Sequence, residues 1–331
     1  METIKKILED SKPIDNKFEN IDENNIGDIE FVFNVPKEHP RHSKIWNYKI
    51  AQWKFDEILE KNLKEFSFLI DENVGKIPFI KEFLNSQNWE YHFLKSEEWI
   101  TKTISFLDNF IEQNLHSENF KSLVVIWWGL LTNCGAYIAE KLQKNLILIP
   151  TTVLSMADNS WWKVRINSIE WWNFYKHHYK SFYEPNQIII DKRFLQNLSQ
   201  NDKRIWLAEI IKHGLFQSEK LYEYLLHNAD KIFNDDNYLL KAILRTIDLK
   251  RICIENDVDE TENWSKTILR AWHDISDKIE EKMEFSIPHW YAVSIGIYEE
   301  ITKKNNPEFL EKTKKILDIF GLPKLLEEIK Q

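Results

Sequence analysis

One carboxylate and two imidazoles in the second half of the chain have the residue types of a metal centre. Glu209 lies in Leu207-Ala208-Glu209-Ile210-Ile211-Lys212-His213-Gly214, His273 in Leu269-Arg270-Ala271-Trp272-His273-Asp274, and His289 in Ile287-Pro288-His289-Trp290-Tyr291. A carboxylate with two imidazoles is a three-ligand catalytic zinc set that leaves positions open for substrate oxygens. Glu209 and Lys212, three residues apart, share a helix face. A histidine beside a helix is more often structural, and spacing by itself does not bring the three segments together.

A second chemistry is suggested between Ser122 and Asp158. Leu123 to Ile126 form an apolar, β-branched run, Leu130 to Leu142 carry apolar residues at helical spacing, and Leu146 to Ile149 form another buried run. Strand, turn, helix and parallel strand make a βαβ unit, whose first turn ordinarily approaches a nucleotide phosphate through glycines and a helix N-terminus. Here that turn reads Trp127-Trp128-Gly129, and two indoles would fill the space of a pyrophosphate. Phe66 to Ile70 is a strand ending in Asp71, where an α/β sheet places ligand contacts and where a lone aspartate also caps loops.

Around these residues the chain alternates strand and helix from about residue 60 to 190. Gly75 to Leu84 and Glu97 to Gln113 read as helices and Trp89 to Leu94 as a strand, and the texture changes after Asn186 to Ile190. Such alternation predicts a parallel sheet. Upstream, residues 1–40 are charged and Asn-rich, Phe31 to Val35 suggests an edge strand, and Ile45 to Phe66 reads as an amphipathic helix through Trp46, Ile50, Trp53 and Ile58. Beyond Arg193 the pattern is nearly continuous helix, over 202–216, 218–232, 236–256, 274–283, 289–304 and 307–330. The expected organisation is an N-terminal extension (1–60), a Rossmann-like α/β domain (61–192) and an all-α domain (193–331).

Composition narrows the partners. No apolar run approaches the ~20 residues of a membrane span, and no signal peptide is evident, so a membrane partner is not expected. Cys134 and Cys253 are too few for a disulfide framework, which favours a reducing cytoplasm. A net charge of −9 argues against nucleic acid. The abnormal feature is glycine: seven are present, where average usage of about 7% gives roughly 23. Tryptophan numbers 14 and pairs at Trp127-Trp128, Trp161-Trp162 and Trp171-Trp172, in loops where such bulk is expected to face solvent.

From about Phe66 onward the chain resembles 3-dehydroquinate synthase and the sugar phosphate cyclases. The family pattern has a strand ending in Asp, a Glu/Lys pair, a Gly-Gly-Gly turn, Pro-Thr-Thr, and an Asp-Ser-Ser segment leading to Gly-Gly-Lys and an Asn. Then come Gly-x-Ala-Glu-x-x-Lys, Asp-Glu-x-Glu-x-Gly, Gly-His and His-Gly. This chain has Asp71, Glu98 with Lys102, Trp127-Trp128-Gly129, Pro150-Thr151-Thr152, Asp158 with Ser160, Trp161-Trp162-Lys163 and Asn167. It continues with Trp206-Leu207-Ala208-Glu209 and Lys212, Asp259-Glu260-Thr261-Glu262-Asn263-Trp264, Trp272-His273 and His289-Trp290.

The resemblance implies Glu209, His273 and His289 as ligands of zinc (or cobalt). It implies Lys212, Lys163, Asp158, Asn167, Lys250, Arg270 and Asp277 around the substrate, with Lys212 and Lys163 on its phosphate or hydroxyls. For NAD it implies Asp71, Glu98, Lys102, Trp127, Trp128, Gly129, Asn133, Thr151, Thr152, Asp158 and Lys163. In the family, NAD oxidises a secondary alcohol, phosphate is eliminated, the hydride returns and an aldol addition closes a carbocycle, usually in a homodimer. The substrate implied is a seven-carbon keto acid phosphate. A relative using another sugar phosphate, such as sedoheptulose 7-phosphate, is the alternative, and a metal-dependent polyol dehydrogenase is a further one.

Departures from the family pattern are mostly Gly replaced by Trp, at 127, 128, 161, 162, 206, 264, 272 and 290. That pattern arises when a UGA codon, glycine in some bacterial lineages, is translated as tryptophan, and the Lys-, Asn- and Ile-rich composition fits an AT-rich genome. If the tryptophans are real, indoles at 127 and 128 exclude the pyrophosphate and leave a non-catalytic homologue. Other departures surround the substrate: Asn133 for Asp, Arg270 for Asn, Asp277 for a second His, Tyr291 for Glu, and a lengthened stretch from His177 to Tyr183.

Overall fold

The computed structural model describes residues 21–23, 26, 29–34, 45–51, 55–59, 65–86, 90–116, 118–127, 130–158, 163–171, 173–257, 261, 268, 273–283, 287 and 289–329. The chain forms two compact units, one of Gly27–Asn197 and one of Leu198–Gln331 together with the N-terminal residues through Ile26.

The first unit is built on a seven-stranded sheet. In chain order its strands are β1 (Ile29–Asn34), β2 (Ile45–Ala51), β3 (Phe66–Asp71), β4 (Glu90–Leu94), β5 (Ser122–Trp127), β6 (Asn145–Pro150) and β9 (Gln187–Asp191), arranged β1-β2-β9-β6-β5-β3-β4. All pairs are parallel except β1 with β2. The inner strands are buried nearly end to end, as a sheet covered on both faces requires of sequences such as Ser-Leu-Val-Val-Ile-Trp. Between them lie α1 (Phe55–Leu59), α2 (Pro78–Ser86), α3 (Ile104–Asn114), α4 (Leu131–Leu142) and α5 (Val153–Asp158), and the short α6 (Arg193–Gln196) follows β9.

Sheet order fixes where a ligand belongs. From β3 the chain steps outward to β4 and then returns to β5 on the other side of β3. The order therefore reverses between β3 and β5, and open α/β sheets bind ligands at the carboxyl ends of such strands. Ile70 pairs with Ile126, so Asp71 and Trp127 end neighbouring strands at that point. Helix α4 packs tightly behind, because Gly135 faces Val125; a Cβ on Gly135 would stand 2.4 Å from Val125 Cγ2.

Several expected elements are corrected. Ile45 to Phe66 is not one helix: Ile45–Ala51 is strand β2, followed by the five-residue α1 and then β3. The segment Ile-Trp-Asn-Tyr-Lys-Ile-Ala is β-branched and aromatic, and pairing with both β1 and β9 outweighs its weak helical spacing. Helix α3 begins at Ile104 rather than Glu97, because the Thr103 hydroxyl accepts from Phe106 N at 3.4 Å and sets the start. The sheet is also not the whole unit. Lys163–Glu170 (β7) and Asn173–Phe182 (β8) form a separate antiparallel hairpin.

The second unit is helical: α7 (Gln200–Phe216), α8 (Glu219–His227), α9 (Ala229–Asn234), α10 (Asp236–Asn256), α11 (His273–Lys282), α12 (His289–Lys303) and α13 (Pro307–Phe320). Ser199 and Asp202 form a capping box that starts α7. The expected helix over 218–232 is broken at Asn228. The one over 307–330 stops at Gly321, whose φ of 62° makes it a left-handed C-cap. Helix α10 is buried on every side from Leu239 to Ile254, and several of its charges are paired. Arg251 Nε lies 2.9 Å from Asp248, and Lys241 Nζ lies 2.7 Å from Glu23 and donates to Ile21 O. Among the described residues, no helix is long and apolar enough to cross a membrane.

Candidate active site

In the α/β unit, Asp71 is fully buried and turned into its own loop. Its Oδ1 accepts from Asn73 N at 2.8 Å and Val74 N at 3.4 Å, and Ser96 Oγ donates to Oδ2. Trp127 is fully buried, and its carbonyl accepts from Thr151 Oγ1 at 2.5 Å. Thr152 is buried as well and exchanges hydrogen bonds with Ser155 at the start of α5. Asn133 Oδ1 accepts from Arg165 N at 2.7 Å, tying α4 to β7. Asp158 is the exposed last residue of α5, and half-buried Lys163 opens β7. Trp128, Gly129, Ser160, Trp161 and Trp162 lie outside the described residues.

Glu98, Lys102 and Asn167 are brought together. Lys102, nearly buried, donates from Nζ to Glu98 Oε1 at 2.9 Å and Oε2 at 3.3 Å. Asn167 Nδ2 donates to Glu98 O and Oε1, each at 3.1 Å, and its Oδ1 accepts from His177 N at 2.8 Å. Burial, and then the ammonium of Lys102, pull the His177 imidazole down to about 4, so it is neutral. Sequence reasoning noted only the length of the stretch beginning at His177.

In the helical unit, α7 carries Glu209 and Lys212, both buried and ion-paired to each other. Lys250, 1% exposed, comes from α10, which packs against α7. Helices α11 and α12 begin at His273 and His289, pack against each other, and α12 packs on α7. The His273 and His289 side chains are outside the described residues, as are Arg270, Trp264 and Trp272. Among the described residues no three His, Cys, Asp or Glu side chains converge as a metal site. Asp277 is exposed on α11.

His213, one residue after Lys212, was not singled out from the sequence. It is 1% exposed and donates from Nδ1 to Gln217 Oε1, while Gln217 Nε2 reaches Cys253 Sγ at 2.7 Å and Leu249 O at 3.3 Å. This network ties α7 to α10. Burial and then Lys212 push its imidazole down to about 3. The unfolded chain, with its histidine near 6.5, therefore binds more protons between those values. Stability contributed by neutral His213 is fully present above pH 6.5 and is lost as pH falls toward 3. Urea unfolding at pH 5 should show about 2 kcal/mol less stability than at pH 7 from this group, a difference that His213→Gln should remove.

The tryptophans depart from the expectation that they face solvent. Trp171 is 93% exposed, yet Trp127 and Trp206 are buried. The Trp206 and Trp290 ring centroids are 3.9 Å apart at 54°, closer than the roughly 4.5–7 Å of aromatic pairs. The indole nitrogens of Trp127, Trp206 and Trp290 are buried and have no hydrogen-bond partner among the described residues.

Residues 207–330 match the family described as 3-dehydroquinate synthase C-terminal. The 3-dehydroquinate synthase of Saccharolobus solfataricus is 29% identical over 243 residues, covering 71% of this chain and 67% of that protein. That of Sulfolobus acidocaldarius is 32% identical over 217 residues, covering 62% and 60%. The matches thus span about two thirds or less of these relatives. Among solved structures, 2-deoxy-scyllo-inosose synthase complexed with carbaglucose-6-phosphate, NAD+ and Co2+ superposes with a TM-score of 0.72 at 18% identity, over 91% of this chain and 84% of that one. Sequence match and architecture agree: residues 207–330 match the 3-dehydroquinate synthase C-terminal family, the chain is similar in sequence to 3-dehydroquinate synthases, and its fold is that of 2-deoxy-scyllo-inosose synthase.

Proposed function

We propose that the protein is a phosphate-eliminating cyclase that converts a seven-carbon sugar phosphate to a carbocycle with NAD and a divalent metal, most simply as a 3-dehydroquinate synthase. The observation that carries this reading is the buried Glu209–Lys212 pair on α7, with buried Lys250 on the neighbouring α10 and with α7 packed on α12, the helix that begins at His289. Buried cations of this kind suit a dianionic phosphate.

The residues present fit the metal by the chemistry of their donors, since Glu209, His273 and His289 are a carboxylate and two imidazoles. For NAD, β3 and β5 end at the switch point, and α4 begins at Leu131 after Leu130, with no side-chain cap on its N–H groups. Such a helix start suits a phosphate. Bound NAD supplies reversible hydride acceptance, and bound zinc or cobalt supplies Lewis acidity toward adjacent oxygens. By the family resemblance Lys212 and Lys163 contact the substrate's phosphate or hydroxyls, and Asp158, Asn167, Lys250, Arg270 and Asp277 are the other residues assigned to the substrate. The phosphate itself can take the proton beside the ketone, so few protein bases are needed. A homodimer in the cytoplasm, where buried Cys134 and Cys253 stay reduced, completes the reading.

The tryptophans at 127, 128, 161, 162, 206, 264, 272 and 290 belong to the same proposal: in the native protein these positions are glycine. The crowded Trp206–Trp290 contact and three buried indole N–H groups lacking partners among the described residues support it. Each such N–H costs about 1–3 kcal/mol.

Protein purified from its native host, given NAD+, Co2+ and either the seven-carbon keto acid phosphate or sedoheptulose 7-phosphate, tests the activity. Release of inorganic phosphate with a carbocyclic product and no net NADH is expected from one of the two. Accumulation of NADH without phosphate release would mark a polyol dehydrogenase instead.

A further inference from the structure

Lys212 and Lys250, the two buried lysines assigned to the substrate, come from different helices, α7 and α10. Side chains that hold one ligand must keep a fixed spacing, so the register of α10 against α7 matters. A polar tie inside the core sets that register. Gln217, which is buried, is the C-cap of α7, and its Nε2 donates to Leu249 O at 3.3 Å and to Cys253 Sγ at 2.7 Å. Leu249 directly precedes Lys250. His213, which directly follows Lys212, is bonded through Nδ1 to Gln217 Oε1.

The donors and acceptors of this chain fix one another. Leu249 O can only accept, so the amide nitrogen of Gln217 faces α10 and its oxygen is left for His213. That oxygen also can only accept, which places the imidazole proton on Nδ1. A directed line therefore runs from the residue after Lys212 to the residue before Lys250. Stability does not demand it, since an apolar pair of similar shape fills such a space at nearly no net cost. A fully satisfied polar network adds a unique alignment: sliding α10 along α7 breaks it, whereas apolar contacts tolerate a slide.

We propose that His213 and Gln217 are positioning residues, which set the register of α10 against α7 and so the spacing of Lys212 and Lys250 on the substrate. The inference rests on the assignment of both lysines to the substrate. Neither His213 nor Gln217 touches the substrate in this role. Their effect passes through the lysines, and a displacement of about 1 Å in such a group can cost up to about 100-fold.

The test is steady-state phosphate release by protein made in the native host, with NAD+ and Co2+. The substrate is whichever of the seven-carbon keto acid phosphate and sedoheptulose 7-phosphate the parent protein turns over. His213→Leu combined with Gln217→Met removes the line and leaves neither residue with a buried polar group, while Leu249 O keeps its helical donor. Its thermal midpoint is expected to hold or rise. KM is expected to rise about tenfold with kcat little changed, the pattern of lost binding shared by ground and transition states. Gln217→Met alone cuts the line at α10 and carries the same KM expectation if the double variant fails to fold. His213→Gln retains an N–H for Gln217 and should keep KM close to that of the parent. An unchanged KM in both Gln217→Met and the double variant would make the network structural only and overturn the proposal. A KM raised as much in His213→Gln would also overturn it, because the effect would not follow the hydrogen bond. A parent protein that releases no phosphate from either substrate would instead overturn the cyclase reading, and this role with it.

Discussion

Glu209→Ala is expected to lose metal and stability together, whereas Glu209→Gln loses metal with a much smaller loss of stability. Glu209 is 8% exposed and ion-paired with Lys212, which is 2% exposed. Alanine leaves that ammonium buried without its counter-charge, and breaking a buried pair in this way costs about 3–5 kcal/mol. Glutamine keeps a carbonyl oxygen for Lys212 but removes the carboxylate proposed as a metal ligand. Loss of even an outer-shell partner lowers metal affinity about 10–100-fold, so loss of one of three ligands should reach at least about 100-fold, with turnover falling alongside. Urea unfolding and metal content after dialysis against buffered zinc separate the two effects. A Glu209→Ala protein that retains stoichiometric metal would move the metal off α7.

The second large effect concerns NAD. A chain with glycine at 127 and 128 should bind NAD+ in calorimetry at least about 100-fold more tightly than the chain with tryptophan, a difference of about 2.7 kcal/mol. The reason is spatial. Trp127 ends β5 beside Asp71 at the point where strand order reverses, and its indole occupies a fully buried position there. Backbone must come close to a pyrophosphate at such a turn, and only glycine permits that approach. Equal affinity in the two chains would mean that the indoles lie clear of the cofactor.

Much of the fold is legible in the sequence because burial leaves an unmistakable mark. The runs around Val124, Leu148 and Ile189 are apolar on both faces, and no amphipathic helix has that texture. The failures are where tertiary pairing decides. Ile45–Ala51 carries both periodicities, and only pairing with nearby β1 and with β9, distant in sequence, selects the strand. The candidate site divides in the same way. Glu98, Lys102 and Asn167 stand out by motif, and the structure joins them. His177 depends on a three-against-one bulge that no spacing reveals, and His213 on Gln217 and Cys253 arriving from two helices. Asp71 illustrates the reverse case, since its motif position is real while its oxygens cap the following turn.

The native residue at 127 and 128 bears on all of this, and it can be read directly. Mass spectrometry of the peptide spanning Val124 to Leu130, from protein purified out of its native host, distinguishes the two residues by mass. The account predicts glycine at both positions, which opens the turn to a pyrophosphate and leaves a working cyclase. Tryptophan at both would contradict it, and would point to a homologue whose cofactor turn is closed.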